Sequence, residues 1–218
     1  MPFKLTILGS GSSAGTPVVG CDCSTCLSTN PKNNRTRCSS IIHLNDGRNI
    51  LIDTGPDLRT QSLRESLTRV DAVLFTHHHA DHCHGIDDLR AFCQINKIQI
   101  PLYGSEYVMD QLSQKFGYAM VDPKGFWEIP VLKPHSVDRP FELFGQTITP
   151  IPLYHGKSLI NGYRIGNMAY LTDVSKIPDN SMQLLDGLEV LLLDCLRFSP
   201  HHTHFSYDES IAAAAKIN

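Results

Sequence analysis

The sequence predicts an α/β fold made of two β-sheets that are covered by helices on their outer faces. Strand-like apolar runs occur in groups in both halves of the chain, with helical patterns between them. The turn signals Asn45-Asp46-Gly47 and Gly166-Asn167 each separate two apolar runs and so predict two hairpins. With 218 residues, of which 41% are hydrophobic, the chain can bury a sizeable core.

The first half of the chain opens with a strand at residues 3–8, which leads into a glycine-rich loop and a cysteine-rich loop. Residues 39–45 and 48–53 form the first predicted hairpin, because Asp-Gly between apolar runs is a strong turn signal. Beyond it the pattern predicts helices at 57–68, 85–96 and 105–117 and strands at 70–76 and 100–104.

The second half of the chain contains proline-interrupted strands within residues 118–152 and then a hairpin formed by 163–165 and 168–171. A buried strand at 188–193 and a helix at 206–216 follow. Ser206 can cap this helix, and Glu209 three residues later completes the pattern of a capping box.

The composition argues against several classes of protein. The formal net charge of −3 gives no general attraction to nucleic acid, and the basic residues Lys32, Arg35 and Arg37 are interpreted as a solvated loop. No apolar stretch is long enough to span a bilayer, and no secretion signal precedes the first strand. We therefore expect a cytoplasmic protein with neither a membrane nor a nucleic-acid partner, whose seven cysteines are thiols or metal ligands.

The segment that follows the predicted strand at 70–76 carries the strongest chemical signal. It contains the pattern His77-x-His79-x-Asp81-His82. Because side chains alternate along a strand, His77 and His79 point to the same side, and a turn brings Asp81 and His82 back toward them. Imidazole and carboxylate groups suit zinc, manganese or iron. The alternative is a solvated histidine-rich loop, which the order of these four ligand types disfavours.

Two later residues extend this pattern. His155 follows the strand at 148–153, and Asp173 follows the second hairpin. Either residue alone would more often be structural or solvated. In this order, together with Asp53 at the end of an earlier strand, they make the sequence resemble the metallo-β-lactamase superfamily over nearly the whole chain.

The resemblance implies an αββα sandwich of two mixed β-sheets, in a single domain over residues 1–218, with two divalent metals at one sheet edge. It implies the following ligands: His77, His79 and His155 for one metal, Asp81 and His82 for the second, and Asp173 as a bridge. Asp53 matches the structural aspartate of the superfamily. Two cations close together bind a hydroxide between them, lower its pKa and stabilise charge on a phosphoryl group.

The sequence departs from the superfamily pattern at its C-terminal end. The superfamily supplies a last histidine to the second metal from a strand after the final helix, and nothing follows Asn218 here. Either this strand and the last ligands lie beyond residue 218, or the second metal site is incomplete. We expect the former, because a sandwich without the strand would have an uncovered edge.

Three closely spaced thiols, Cys21, Cys23 and Cys26, form a second candidate metal site. They can wrap one zinc, for which the fourth ligand is either Cys38 or a histidine beyond residue 218. The alternative is a set of reduced thiols without metal. The remaining cysteines lack partner spacing and are expected to be buried, small apolar residues; they are Cys83, Cys93 and Cys195.

The glycine and cysteine block from Gly9 to Cys26 resembles one subgroup more narrowly, the PhnP-like phosphoribosyl 1,2-cyclic phosphate phosphodiesterases. Its glycines are not a dinucleotide fingerprint, because Thr16-Pro17 and the cysteine loop follow where a helix would have to begin. The resemblance implies that the three cysteines hold a structural zinc, with a histidine near the C-terminus as fourth ligand.

The same resemblance implies a role for His204, which precedes the last helix. The PhnP-like proteins place a histidine there that gives a proton to the leaving alkoxide or contacts phosphate. An imidazole titrates in the right range for this task.

We therefore predict a dinuclear metal-dependent hydrolase that cleaves a small, cyclic phosphodiester through a metal-bridging hydroxide, with Asp81 and His204 as its catalytic residues. The predicted cofactors are two zinc, manganese or iron ions and one structural zinc, and the default assembly is a homodimer. The alternatives are a tRNase Z-like nuclease, a thioesterase or lactonase, and a non-catalytic metal-binding accessory protein. The negative charge argues against the nuclease.

Overall fold

The computed structural model describes residues 3–120 and 131–217, which fall into two compact units. The N-terminal unit contains the described residues up to Ser136, and the C-terminal unit begins at Val137. Each unit is built on one mixed β-sheet with helices, which confirms the predicted α/β class with two mixed sheets. The prediction of one domain over residues 1–218 stays a prediction.

The N-terminal unit contains a six-stranded sheet in the order β1-β2-β3-β4-β5-β6. Its strands are β1 (Phe3–Gly9), β2 (Ser39–Leu44), β3 (Asn49–Ile52), β4 (Ala72–Leu74), β5 (Ile100–Gly104) and β6 (Leu132–Ser136). The first two pairings are antiparallel and the other three are parallel. Strands β1, β3 and β4 therefore all end at the same edge of the sheet.

The described part of this unit contains four helices, α1 (Leu58–Arg64), α2 (Ala80–Cys83), α3 (Leu89–Asn96) and α4 (Glu106–Met120), with 3-10 turns at Pro31–Asn33 and Ile86–Asp88. Fully buried side chains of the sheet, among them Leu51 and Val73, form one core with Leu58, Leu89 and Leu112 of the helices. Burial of this apolar surface fixes the sheet edge from which the metal-ligand loop emerges.

The C-terminal unit contains a five-stranded sheet in the order β11-β10-β9-β8-β7. Its elements are β7 (Phe141–Leu143), β8 (Gln146–His155), β9 (Ser158–Ile165), β10 (Met168–Leu171), α5 (Asp179–Met182), a 3-10 turn (Gln183–Leu185), β11 (Val190–Leu193) and α6 (Tyr207–Ile217). Strands β10 and β11 are parallel, and the other pairings are antiparallel. The predicted capping box of α6 is confirmed, since the Ser206 N–H donates to Glu209 Oε2 at 2.8 Å.

The structure differs from the sequence prediction at several element boundaries. Helix α1 ends at Arg64 and not at residue 68, because Ser66 adopts a left-handed φ of 51° and the Leu67 N–H closes the end on the Ser62 carbonyl. Ile95, an apolar residue within the predicted helix at 85–96, is 76% exposed. The strands predicted within residues 118–152 include residues 121–130, which lie outside the described residues.

No helix in the described ranges combines the length and the apolar character that crossing a membrane requires.

Candidate metal centre

The His77–His82 segment leaves the sheet at the end of β4 and turns into α2. His77 is buried and His79 is exposed, and the extended backbone of His79 caps the start of α2. Asp81 and His82 lie in this single-turn helix, which the sequence analysis anticipated only as a turn. The predicted turn of the chain is therefore a short helix. Its curvature brings His82 back toward His77.

Four predicted ligands of the N-terminal unit come together in this segment. His77 Nε2 lies 3.0 Å from His79 Nδ1, and the rings of His77 and His82 have their centroids 4.2 Å apart. His82 Nε2 lies 3.3 Å from Asp81 Oδ2. Two nitrogens bound to one tetrahedral zinc, at about 2.0–2.1 Å each, lie roughly 3.3 Å from each other. The spacing of these donor atoms fits ligands that share cations.

A buried aspartate, Asp53, orients the histidines through hydrogen bonds. Its carboxylate accepts hydrogen bonds from the Thr76 N–H at 2.8 Å, from the Thr76 hydroxyl at 2.7 Å and from His82 Nδ1 at 2.7 Å. Asp53 is fully buried and takes a left-handed φ of 60°, which aspartate tolerates better than most residues. Donating Nδ1–H to Asp53 leaves His82 Nε2 as the metal-binding atom.

The Thr76 hydroxyl extends this orientation to His77. Because the hydroxyl donates its proton to Asp53, it accepts from His77 Nδ1, which lies 3.0 Å away. The orientation of the His77 ring is thereby also fixed, with Nε2 directed toward His79. One carboxylate therefore sets the tautomer of two predicted ligands.

Close backbone contacts hold α2 against the end of β3. The Thr54 N–H donates to the His82 carbonyl at 2.7 Å, and the Gly85 N–H donates to the Thr54 carbonyl at 2.8 Å. A Cβ at Gly55 would lie 2.3 Å from the Asp81 carbonyl oxygen, so only glycine permits this approach. The Asp53-Thr54-Gly55 turn thus positions the helix that carries Asp81 and His82.

The C-terminal unit gathers its own set of predicted residues. His155 is the last residue of β8, and its Nδ1 lies 2.8 Å from the Thr203 carbonyl oxygen, which leaves Nε2 as the ligand atom. The centroid of its ring lies 4.8 Å from that of His204. Asp173 follows β10 with a left-handed φ of 57°, and its Oδ1 lies 3.9 Å from His204 Nδ1. His204 is therefore adjacent to both predicted ligands of this unit.

Asp194 is a residue of the candidate site that the sequence analysis missed. Its Oδ2 accepts from the Val174 N–H at 3.0 Å, from His204 Nδ1 at 3.0 Å and from the Phe205 N–H at 3.3 Å. The hydrogen bond between His204 Nδ1 and Asp194 fixes the orientation of the His204 ring. The signal was present in the sequence, since Asp194 ends an apolar strand as Asp53 does.

The three thiols of Cys21, Cys23 and Cys26 also come together, with their Sγ atoms all within 4.8 Å of one another. The Cys26 N–H and then the Cys21 thiol lower the pKa of Cys23 to about 7, so a large fraction of Cys23 is thiolate at neutral pH. Thiolate is the form that binds zinc. Within the described residues this cluster consists of these three thiols, and the candidate fourth ligand Cys38 lies outside it.

The remaining cysteines divide into two environments. Cys83 and Cys93 are buried as predicted, and burial raises the pKa of each thiol to about 11. The prediction for Cys195 was wrong, because this residue is exposed. It follows Asp194, where the chain has already left β11.

Comparisons with known proteins agree with this geometry. A family model described as "Beta-lactamase superfamily domain" matches residues 48–218. The crystal structure of a new diphosphatase from the PhnP family is 43% identical, with a TM-score of 0.90 over 99% of this chain and 83% of that chain. The chain belongs to the metallo-β-lactamase superfamily, in its PhnP-like group. The predicted family and fold of this PhnP-like protein are confirmed.

Two other relatives extend the comparison. The octanoyltransferase of Porphyromonas gingivalis is 36% identical over 218 residues, which are 99% of this chain and 44% of that protein. The PhnP-like chain spans about half the length of the curated relatives it matches. Zn²⁺-bound PqqB from Methylobacterium extorquens is 20% identical, with a TM-score of 0.71 over 96% of this chain and 76% of that chain, and shows the shared fold.

The metallo-β-lactamase fold implies divalent metals. The donor set of the PhnP-like chain fits such metals on physical grounds. Each of His77, His82 and His155 has its Nδ1 engaged by an acceptor of the protein, which is the arrangement typical of metal-binding histidines. The Asp81 carboxylate lies beside His82, and in the C-terminal unit the Asp173 carboxylate lies beside His204.

Replacing Asp53 with asparagine tests whether its carboxylate orients the histidines for metal binding. Asp53→Asn keeps the side-chain shape and tolerates the left-handed backbone but replaces the charged acceptor of His82 Nδ1. We expect metal affinity to fall by about 10- to 100-fold, measured by zinc titration against a competing chelator. The control is Asp138→Asn, whose side chain is 93% exposed. Unchanged affinity in a folded Asp53→Asn protein would contradict the orienting role.

Replacing Cys23 with serine tests the thiol cluster. Since a structural zinc needs its thiolates, Cys23→Ser should lower the zinc content by roughly one equivalent per chain, measured by elemental analysis. Cys195→Ser is the matched control, because this thiol is also exposed and lies outside the cluster. Equal zinc content in both variants would indicate that the cluster is a set of reduced thiols.

Proposed function

We propose that this PhnP-like protein is a dinuclear metal-dependent hydrolase that cleaves a small, cyclic phosphodiester. The observation that carries the proposal is the Asp53 carboxylate, which orients His82 directly and His77 through Thr76. A merely solvated histidine loop has no need of a buried charge behind it, because such burial is costly unless the charge is fully hydrogen-bonded.

The proposed ligand assignment follows the superfamily pattern. In this assignment His77, His79 and His155 would hold one cation, Asp81 and His82 would hold the second, and Asp173 would serve both. A pair of divalent cations supplies an activated water and neutralises charge on the phosphoryl oxygens. Asp81, whose side chain is 18% exposed, can accept a hydrogen bond from that water and orient it.

His204 is the proposed proton donor to the leaving alkoxide. Asp194 engages its Nδ1, so Nε2 is the nitrogen from which a proton can be delivered. The His204 ring lies beside His155 and Asp173, two predicted metal ligands of its own unit. Asp194 acts through His204 and is therefore a positioning residue.

A diphosphate ester is the second candidate substrate, because the 43% identical PhnP-family relative is a diphosphatase. Both substrates require attack of water on phosphorus and expulsion of an oxygen anion, so the same residues serve either reaction. Acyl substrates are a weaker alternative, since the octanoyltransferase relative matches over only 44% of its length. Zinc or manganese as the native metal, a cytoplasmic location, a homodimer and the absence of nucleic-acid and membrane partners stay predictions.

A substrate panel tests the proposed function together with Asp81→Ala. We expect metal-dependent hydrolysis of bis(p-nitrophenyl) phosphate and of phosphoribosyl 1,2-cyclic phosphate, and no hydrolysis of acyl thioesters. Asp81→Ala should abolish turnover, because it loses a metal ligand and the group that orients water. The control is Asp138→Ala at an exposed position. Full activity in the Asp81 variant, or turnover of thioesters alone, would overturn the proposal.

The role of His204 has a separate test. His204→Ala should lower kcat by about 10²- to 10⁴-fold, the range typical of a lost general acid, while the metal content stays at the wild-type level. Asp194→Asn should lower kcat less and leave KM nearly unchanged, because the imidazole remains but is less well positioned. His202→Ala, at an exposed neighbouring histidine, should retain activity. A His204 variant with wild-type kcat would exclude the proposed acid.

A further inference from the structure

A cationic cavity lies in the N-terminal unit, beside the end of β1. Its volume is about 420 Å³, within the range of small-ligand sites. The lining residues are Ile7, Gly9, Ser10, Lys32, Asn34, Arg35, Thr36 and Arg64. Three of these eight residues are cationic and none is acidic, so the charge of the lining selects for anions.

Among the residues that the structure describes, no carboxylate pairs with the two cations of the loop, Lys32 and Arg35. Lys32 makes no side-chain hydrogen bond or ion pair within the part of the chain that the structure describes. The Arg35 side chain donates a long hydrogen bond, from Nε to the Lys32 carbonyl at 3.4 Å. Both side chains are exposed and therefore accessible to a ligand. An ammonium and a guanidinium together are a common means of binding phosphate.

The cavity wall is held in place by residues that are already paired. Arg64 pairs with Glu65 at 2.8 Å and donates to the Leu8 carbonyl, and the Thr36 hydroxyl donates to the same carbonyl at 3.1 Å. Arg37, which belongs to the same basic loop, is instead bound to Asp57 at 3.0 Å. Arg37 therefore has a structural role, whereas Lys32 and Arg35 are the two loop cations that face the cavity.

The cavity and the metal-ligand segment share one edge of the sheet. Strand β1 runs parallel to β3, because each is antiparallel to β2, and β1 and β3 therefore end on the same side. Two strand spacings of about 4.7–4.9 Å separate these strands, so the end of β1 lies roughly 10 Å from Asp53. A ligand in the cavity would lie near the proposed metal centre without touching it.

We infer that this cavity binds a phosphate-bearing anion through Lys32 and Arg35, with the Asn34 amide and the Ser10 hydroxyl as neutral donors. The loop interpreted from the sequence as solvated is then a binding loop. The anion has two sources: a second phosphate of the substrate, which rests on the proposed function, or a separate phosphate-bearing ligand, which does not. A salt-dependent affinity is expected in either case, because the cations are exposed.

Site-specific lysine acetylation tests binding with inorganic phosphate as the probe. In the metal-loaded protein, phosphate at about four times its Kd should slow acetylation of Lys32 roughly fivefold, since occupancy protects the amine. Lys133, an exposed lysine on β6, should not be protected, and sodium chloride of equal ionic strength corrects for screening. The inference is overturned if phosphate slows acetylation of Lys32 no more than chloride does, or slows that of Lys133 equally.

A pair of double variants distinguishes the two sources of the anion. Lys32→Ala/Arg35→Ala removes the cavity cations, and Lys133→Ala/Arg139→Ala removes the same charge elsewhere. A KM raised about tenfold for phosphoribosyl 1,2-cyclic phosphate, but not for the single phosphate of bis(p-nitrophenyl) phosphate, supports the substrate as source. Unchanged KM values alongside protection of Lys32 support a separate ligand. If no phosphoester is hydrolysed, the proposed function fails while the acetylation result still decides the site.

Discussion

The Asp53 carboxylate accepts three hydrogen bonds at the end of β3, and the arrangement of the N-terminal half of the site depends on it. A fully buried carboxylate is stable only when its oxygens accept hydrogen bonds. Here the donors are Thr76, which follows β4, and His82 in α2. The same bonds that offset the cost of burial fix the ring orientation of His82 and, through Thr76, of His77. Stability and ligand geometry in this segment therefore have one physical origin.

The C-terminal unit repeats this arrangement of an aspartate and a histidine on its own sheet. Asp53 follows β3, whose neighbour β4 is parallel, and Asp194 follows β11, whose neighbour β10 is parallel. In both cases the backbone N–H of the aspartate donates to the last residue of the neighbouring strand, at 3.0 Å and 2.8 Å. Each carboxylate then accepts from the backbone that follows that strand and from a histidine. Adjacent parallel strand ends thus place a carboxylate where it can orient an imidazole.

The net charge of −3 describes the whole chain and conceals a local separation of charge. Asp57 neutralises Arg37, whereas Lys32 and Arg35 keep their charge at the cavity. Local potential, and not net charge, decides which small anions a surface attracts. A protein with a negative net charge can therefore still concentrate a phosphate-bearing ligand at one cavity.

The sequence by itself determined the strands, the hairpins at Gly47 and Gly166 and the ligand types from His77 to His82, because these depend on local periodicity and turn chemistry. Only the tertiary structure decided that Asp194 engages His204 and that Arg64 joins Lys32 and Arg35 around one cavity. It also left Cys195 exposed, against its apolar preference. These features follow from strand order and from which charges pair through space, and neither is encoded in the spacing of residues along the chain.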